Sequence, residues 1–232
     1  TGDIVSEFEG KFAKYLHCRR VVGVTSCTGA MHLALLGLDI GQGDEVITTP
    51  MTFIATANAI IQTGATPIFV DVEPDTANID ATLIENAITP RTRAIMPVHL
   101  YGQMCDMKTI KKIADKYNLK IVEDSAHTIE AIRDDIRPGQ LGDAACYSFY
   151  TTKSITCGEG GAISTNDDDL AEKLIVLRLH GMNKDASKRY IGLYQHWDME
   201  MLGWKYNMSN IQAALLLDQL EHIDKLQKRR ED

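Results

Sequence analysis

The chain has 232 residues, 44% of them hydrophobic, and its 24 basic and 32 acidic residues leave a net charge of −8. A chain of this length buries a substantial core, and its basic residues are dispersed except over 225–230, where acids and an apolar residue accompany them, so nucleic acid is excluded as a partner. Five cysteines, at 18, 27, 105, 146 and 157, follow no zinc or disulfide spacing, and no stretch approaches the roughly 18 apolar residues of a membrane helix; the expectation is a reducing cytoplasm, with neither membrane nor metal.

Short β-rich runs alternate with longer amphipathic ones, the pattern of an α/β fold with a parallel sheet. The first predicted strand covers 21–24 and leads into a helix over 29–38. Strand 45–49 precedes helix 53–63, and strand 67–72 precedes a shorter helical pattern at 80–87. Strand 94–99 and helix 106–117 follow, then strand 120–123. Strands 144–149 and 162–165 come in succession before a helix at 168–179. Most of these strands carry little charge, as strands covered on both faces do. The fold class predicted is a three-layer αβα sandwich around a mostly parallel sheet of seven strands. Residues 181–208 show no clear period, and irregular segments of that length tend to carry function. A last helix over 210–227 runs on without a stop signal, and the front of the chain is as abrupt, so a longer natural protein is expected.

Ligands of open α/β sheets gather beyond the carboxyl ends of the strands, which directs attention to the residues just after each one. After the first strand, Thr25-Ser26-Cys27-Thr28-Gly29-Ala30-Met31 is a small-residue turn opening a helix. Its free amides and the helix dipole can hold a phosphate, or Ser26 or Thr28 can simply cap the helix. After the second strand, Phe53 can stack on a flat ring or belong to the core. After the fifth, Glu123-Asp124-Ser125-Ala126-His127 offers an acid and an imidazole. Asp124 is either a cap or the anion that keeps a pyridinium nitrogen protonated, and His127 is either structural or a hydrogen-bond partner of the same ring's phenolic oxygen. Ser148, near the end of the sixth strand, can bind a phosphate or satisfy a loop amide. Five residues on, Lys153 lies between an apolar run and the cluster Gly158-Glu159-Gly160-Gly161. A lysine partly desolvated on such a loop is neutral more often and more nucleophilic, as a Schiff-base lysine must be; the alternative is an ordinary solvated side chain.

Taken together, these residues resemble the DegT-type, pyridoxal-phosphate-dependent nucleotide-sugar aminotransferases of the fold type I superfamily. The resemblance rests on Ser26 to Leu35, Gly43-Asp44-Glu45-Val46-Ile47, Gly64-Ala65-Thr66-Pro67, Pro97-Val98-His99-Leu100-Tyr101-Gly102, Glu123-Asp124, Ser148 to Gly161, and Tyr206 to Ala214, in the family's order. It implies pyridoxal 5'-phosphate as cofactor, with Lys153 bonded to it and Asp124 on its pyridine nitrogen. His127 would lie at the phenolate oxygen, where many relatives have glutamine. Thr28, Gly29 and Ser148 would hold the phosphate and Phe53 would stack on the ring. Asn207 matches a position that reaches the neighbouring subunit's phosphate, which implies a homodimer. The implied substrates are an amino donor, glutamate, and a nucleotide-linked ketosugar. Residues 1–232 would then be the large cofactor-binding domain, lacking an upstream segment and a smaller C-terminal domain.

Two alternatives share this fold. One is sugar dehydration, which relatives with histidine in place of the lysine perform and Lys153 disfavours; the other is a cofactor-binding remnant without turnover. A nicotinamide-dependent reductase would need Tyr-x-x-x-Lys, whereas Tyr150 precedes Lys153 by only three residues.

Overall fold

The computed structural model describes residues 2–182 and 198–231. Its centre is one seven-stranded sheet in the order β1-β7-β6-β5-β4-β2-β3. The strands are β1 Arg20–Val24, β2 Glu45–Thr48, β3 Thr66–Phe69, β4 Thr92–Ile95, β5 Lys120–Asp124, β6 Ala144–Ser148 and β7 Gly161–Thr165. β7 is antiparallel to both of its neighbours, and every other pairing is parallel. Six strands therefore end at one edge, and β7 begins there.

Side chains alternate across this sheet, and helices cover both faces. Val22, Val46, Ala94, Val122, Cys146 and Ile163 pack under α2 (Cys27–Gly37), α3 (Ala55–Gln62) and α5 (Asp168–Leu177). On the opposite face, Ala145, Tyr147 and Ala162 meet α1 (Asp3–Leu16) and α6 (Asn210–Glu221). Ile47, Ile95 and Ile121 meet α4 (Met107–Tyr117) and the 3-10 turn Ala81–Ala87. This is the expected three-layer αβα sandwich.

α1 was not among the predicted elements. Its buried residues Val5, Phe8, Phe12 and Leu16 recur every three or four positions, the period of an amphipathic helix. Phe8 and Phe12 pack edge-on against Phe149, and Phe12 against Tyr147, so the first helix buttresses β6 just before the lysine loop. Glu9 reinforces this: its carboxylate accepts from the Gly23 amide and pairs with Arg178, which also donates to the Gly23 carbonyl.

Other differences are local. The continuous part of β4 ends at Ile95 rather than 99, because Pro97 has no N–H to donate; pairing with β5 resumes as a parallel bridge between Val98 and Asp124, in which the Pro97 carbonyl accepts from the Asp124 amide and the His99 amide donates to the Asp124 carbonyl. The pattern at 80–87 is a 3-10 turn. The predicted 210–227 helix divides at His222 into α6 and α7 (Ile223–Glu231). Of the irregular 181–208 segment, residues 183–197 lie outside the described residues. Its returning limb runs beside 178–182 through antiparallel bridges at Leu179–Lys205 and Met182–Met199, and the Tyr206 carbonyl accepts from the Thr25 amide.

Candidate active site

A cleft of about 750 Å³ opens at the strand-end edge, lined among others by Thr28, Phe53, Asp124, His127, Ser148 and Lys153. Side chains separated by up to 125 positions in sequence thus meet in one cavity.

The α2 entrance forms one wall. Ser26 caps the helix, its Oγ accepting from the Gly29 amide at 3.0 Å. That assigns the capping role to Ser26 and leaves the Thr28 side chain facing the cleft. Gly29 does not line it, and its amide is taken by the cap. Gly161, which opens β7, pairs with both Val24 and Ser148, and a Cβ there would sit 2.6 Å from the Cys27 nitrogen. Only glycine lets β7 pass so close beneath the helix entrance. Ser148 stands at the end of β6, its Oγ accepting from the Tyr150 amide at 3.3 Å, so its hydroxyl proton remains to be donated into the cleft.

Asp124 forms the floor and is 6% exposed. Its Oδ2 accepts from the Thr56 hydroxyl at 2.8 Å, and its Oδ1 accepts from the Ala126 amide at 3.2 Å and from the Cys27 thiol at 3.9 Å. Burial, followed by the Asp124 charge, pushes the Cys27 thiol well above its ordinary range, so it stays a protonated donor. Asp124 caps only the turn after its own strand, not a helix.

Lys153 sits half-buried on the loop between β6 and β7. Burial lowers its pKa, with Cys27 and Asp124 opposing the shift. His127 is lowered too, first by burial and then by the Lys153 charge. The Tyr101 backbone N–H donates to His127 Nδ1 at 3.4 Å, and the Tyr101 ring stacks on the imidazole, centroids 5.9 Å apart and 8° from parallel. With Nδ1 accepting, the imidazole is neutral and carries its proton on Nε2, where it serves as a donor. Phe53 is 76% exposed at the rim, so it is no core residue and has a face free to cover a planar ring.

Asn207 lies outside the cleft. It bridges to Val24, its Nδ2 is 3.5 Å from the Met208 carbonyl, and its buried Oδ1 has no hydrogen-bond partner among the described residues. Thr56, Cys27 and Tyr101 were not singled out by the sequence reading. No local pattern marks Thr56: it is a small residue in α3, joined to Asp124 only by the sheet.

The sequence profile of the DegT/DnrJ/EryC1/StrS aminotransferase family matches residues 1–232, and the chain belongs to this family. It is 48% identical over 223 residues to GDP-perosamine synthase of Caulobacter vibrioides, an alignment covering 96% of this chain and 58% of that protein. Among solved structures, S. venezuelae DesV in complex with a ketimine intermediate is 41% identical, with a TM-score of 0.90 over 97% of this chain and 58% of that one. The PMP form of Spr1654 of Streptococcus pneumoniae is 33% identical with a TM-score of 0.93, covering 100% of this chain and 63% of that one. The chain spans about 60% of the length of the curated relatives it matches.

Proposed function

We propose that this chain is the cofactor-binding domain of a pyridoxal-phosphate-dependent aminotransferase that moves an amino group from glutamate to a nucleotide-linked ketosugar. The observation that carries the reading is the convergence of Lys153, Asp124, His127, Ser148 and Thr28 on one cleft at the strand ends. Membership in the aminotransferase family supports it.

The residues present fit the cofactor. A half-buried lysine of lowered pKa suits bonding to an aldehyde, a buried carboxylate suits a pyridine nitrogen, and a helix entrance with two cleft-facing hydroxyls suits a phosphate. When bound, the group supplies an electron sink for breaking bonds at the carbon bearing the amine. Lys153 would hold it, and its amine would serve as general acid and base for moving a proton. Asp124 keeps the ring nitrogen protonated by charge. His127 would donate from Nε2 to the phenolate oxygen, Thr28 and Ser148 would bind phosphate oxygens, and Phe53 would cover one ring face. Gly29 offers no free amide, since Ser26 takes it; a Cβ there would lie 3.3 Å from the Tyr206 ring, so its smallness seats the helix entrance against that ring.

Dimerisation belongs to the same reading. Asn207 is assigned to the second subunit's phosphate, and the exposed Phe53, Tyr101 and Leu202 supply apolar surface for a second copy. A cytoplasmic location suits a nucleotide-linked substrate and five free thiols. The test is direct: purified protein with added pyridoxal phosphate develops a visible absorbance band that Lys153→Ala abolishes, and it then transfers nitrogen from glutamate to a 4-ketosugar nucleotide. A colourless wild-type protein would refute the reading.

A further inference from the structure

The far side of Asp124 is built as carefully as the side facing the cleft. Thr56 is 0% exposed and its Oγ1 lies 2.8 Å from Asp124 Oδ2. One turn earlier, Thr52 Oγ1 lies 2.7 Å from Thr56 Oγ1, and the Phe53 carbonyl lies at 3.2 Å from the same atom. A hydroxyl has one proton to give. The carboxylate is the strongest acceptor within reach, since hydrogen bonds to an anion are roughly twice as strong as neutral ones. The Thr56 proton therefore goes to Asp124, and Thr52 donates in turn to the Thr56 oxygen it faces. A donor chain runs Thr52 to Thr56 to Asp124, and neighbouring members of such a chain polarise one another in a low dielectric.

We infer that Thr56, backed by Thr52, is a positioning residue that fixes the Asp124 carboxylate and holds it as the anion opposite the cofactor's ring nitrogen. The inference rests on the proposed function. A hydrogen bond donated to a carboxylate favours its charged form, so the shared proton stays on the ring rather than passing to the acid. The same stretch of chain carries Phe53, assigned to the ring's face. The entrance to α3 thus sets both the plane of the ring and the orientation of the anion at its edge. Thr56 touches neither cofactor nor substrate and acts only through Asp124.

Holoenzyme loaded with pyridoxal phosphate labelled with ¹⁵N at the ring nitrogen tests this. In Thr56→Val, which keeps the β-branch and loses the hydroxyl, the ring ¹⁵N resonance should move toward the unprotonated position. The rate constant for the half-reaction with glutamate should fall about tenfold or more, with KM for glutamate little changed. Thr56→Ser restores the hydroxyl without the methyl and should return both readouts to within about twofold of wild type. Thr52→Val should shift both in the same direction by less, and it covers the case in which Thr56→Val does not fold. An unmoved ¹⁵N resonance in folded Thr56→Val, or a Thr56→Ser as impaired as Thr56→Val, overturns the inference in favour of simple packing. A wild-type protein that binds no pyridoxal phosphate refutes the proposed function itself, and the inference falls with it.

Discussion

Glu123 and Asp124 are consecutive acids on β5, and the sheet sends them to opposite fates. Glu123 is 1% exposed and its partners are complete. Oε1 accepts from the amides of Gly139 and Gly142, each at 3.0 Å, and Oε2 meets His99 Nε2 at 2.8 Å. His99 Nδ1 accepts from the Cys105 amide, so Nε2 carries the proton it gives to Glu123. Asp124 points the other way, into the cleft, and its donors are a hydroxyl, a thiol and one amide. A buried carboxylate ringed by protein donors is a structural lock; one at the floor of a cavity keeps a face for something else. Position on the pleat, not residue type, separates the two roles.

Lys153→Ala should abolish the visible band and turnover together. The amine in the native protein should react with pyridoxal phosphate along a pH profile whose midpoint lies below an ordinary lysine's 10.5, because raising pH removes its proton and burial eases that loss. Borohydride trapping at successive pH values measures the midpoint; one at or above 10.5 contradicts the assigned desolvation.

Asp124→Ala should slow both half-reactions by about a hundredfold or more while weakening cofactor binding far less. Glu123→Ala should do the reverse. It strips a buried His and two amides of their partner at a cost of about 3 kcal/mol, seen as a lower Tm, while the protein that remains folded keeps its absorbance band. If Glu123→Ala lost the band at temperatures where it is folded, the two acids would share a role and the distinction drawn from the pleat would fail.

The smallest effect belongs to His127→Gln. Glutamine keeps a donor within reach, so turnover should change by no more than a fewfold, whereas His127→Leu, with no donor, should be visibly worse in a steady-state assay.

The sheet was legible because its strands are short apolar runs separated by amphipathic ones, and every predicted strand overlaps an observed one. Element ends were less so. β4 is interrupted by one missing N–H at Pro97 and resumes only as the bridge Val98–Asp124, which a hydropathy pattern does not register. The α1 period was present in the residues, but the helix matters through Phe8 and Phe12 against Phe149 and Tyr147, contacts that only the folded chain reveals. In the site, the strand-end rule brought Thr28, Phe53, Asp124, His127, Ser148 and Lys153 to one cleft. It could not tell that Ser26 takes the Gly29 amide. Thr56 was invisible for a different reason, since its meaning lies wholly in a carboxylate 68 positions away.

The pairing of Ser148 with Gly161 has a kinetic meaning for the lysine between them. Because β6 and β7 are antiparallel neighbours, the loop 149–160 is a hairpin pinned at both ends, with the Phe149 amide bonded to the Gly160 carbonyl at 2.9 Å. Under the proposed function, a Lys153 amine displaced by an amino donor would stay on this short tether, at a local concentration set by the hairpin rather than by opening of the fold. Its return would then require only rotation of one side chain.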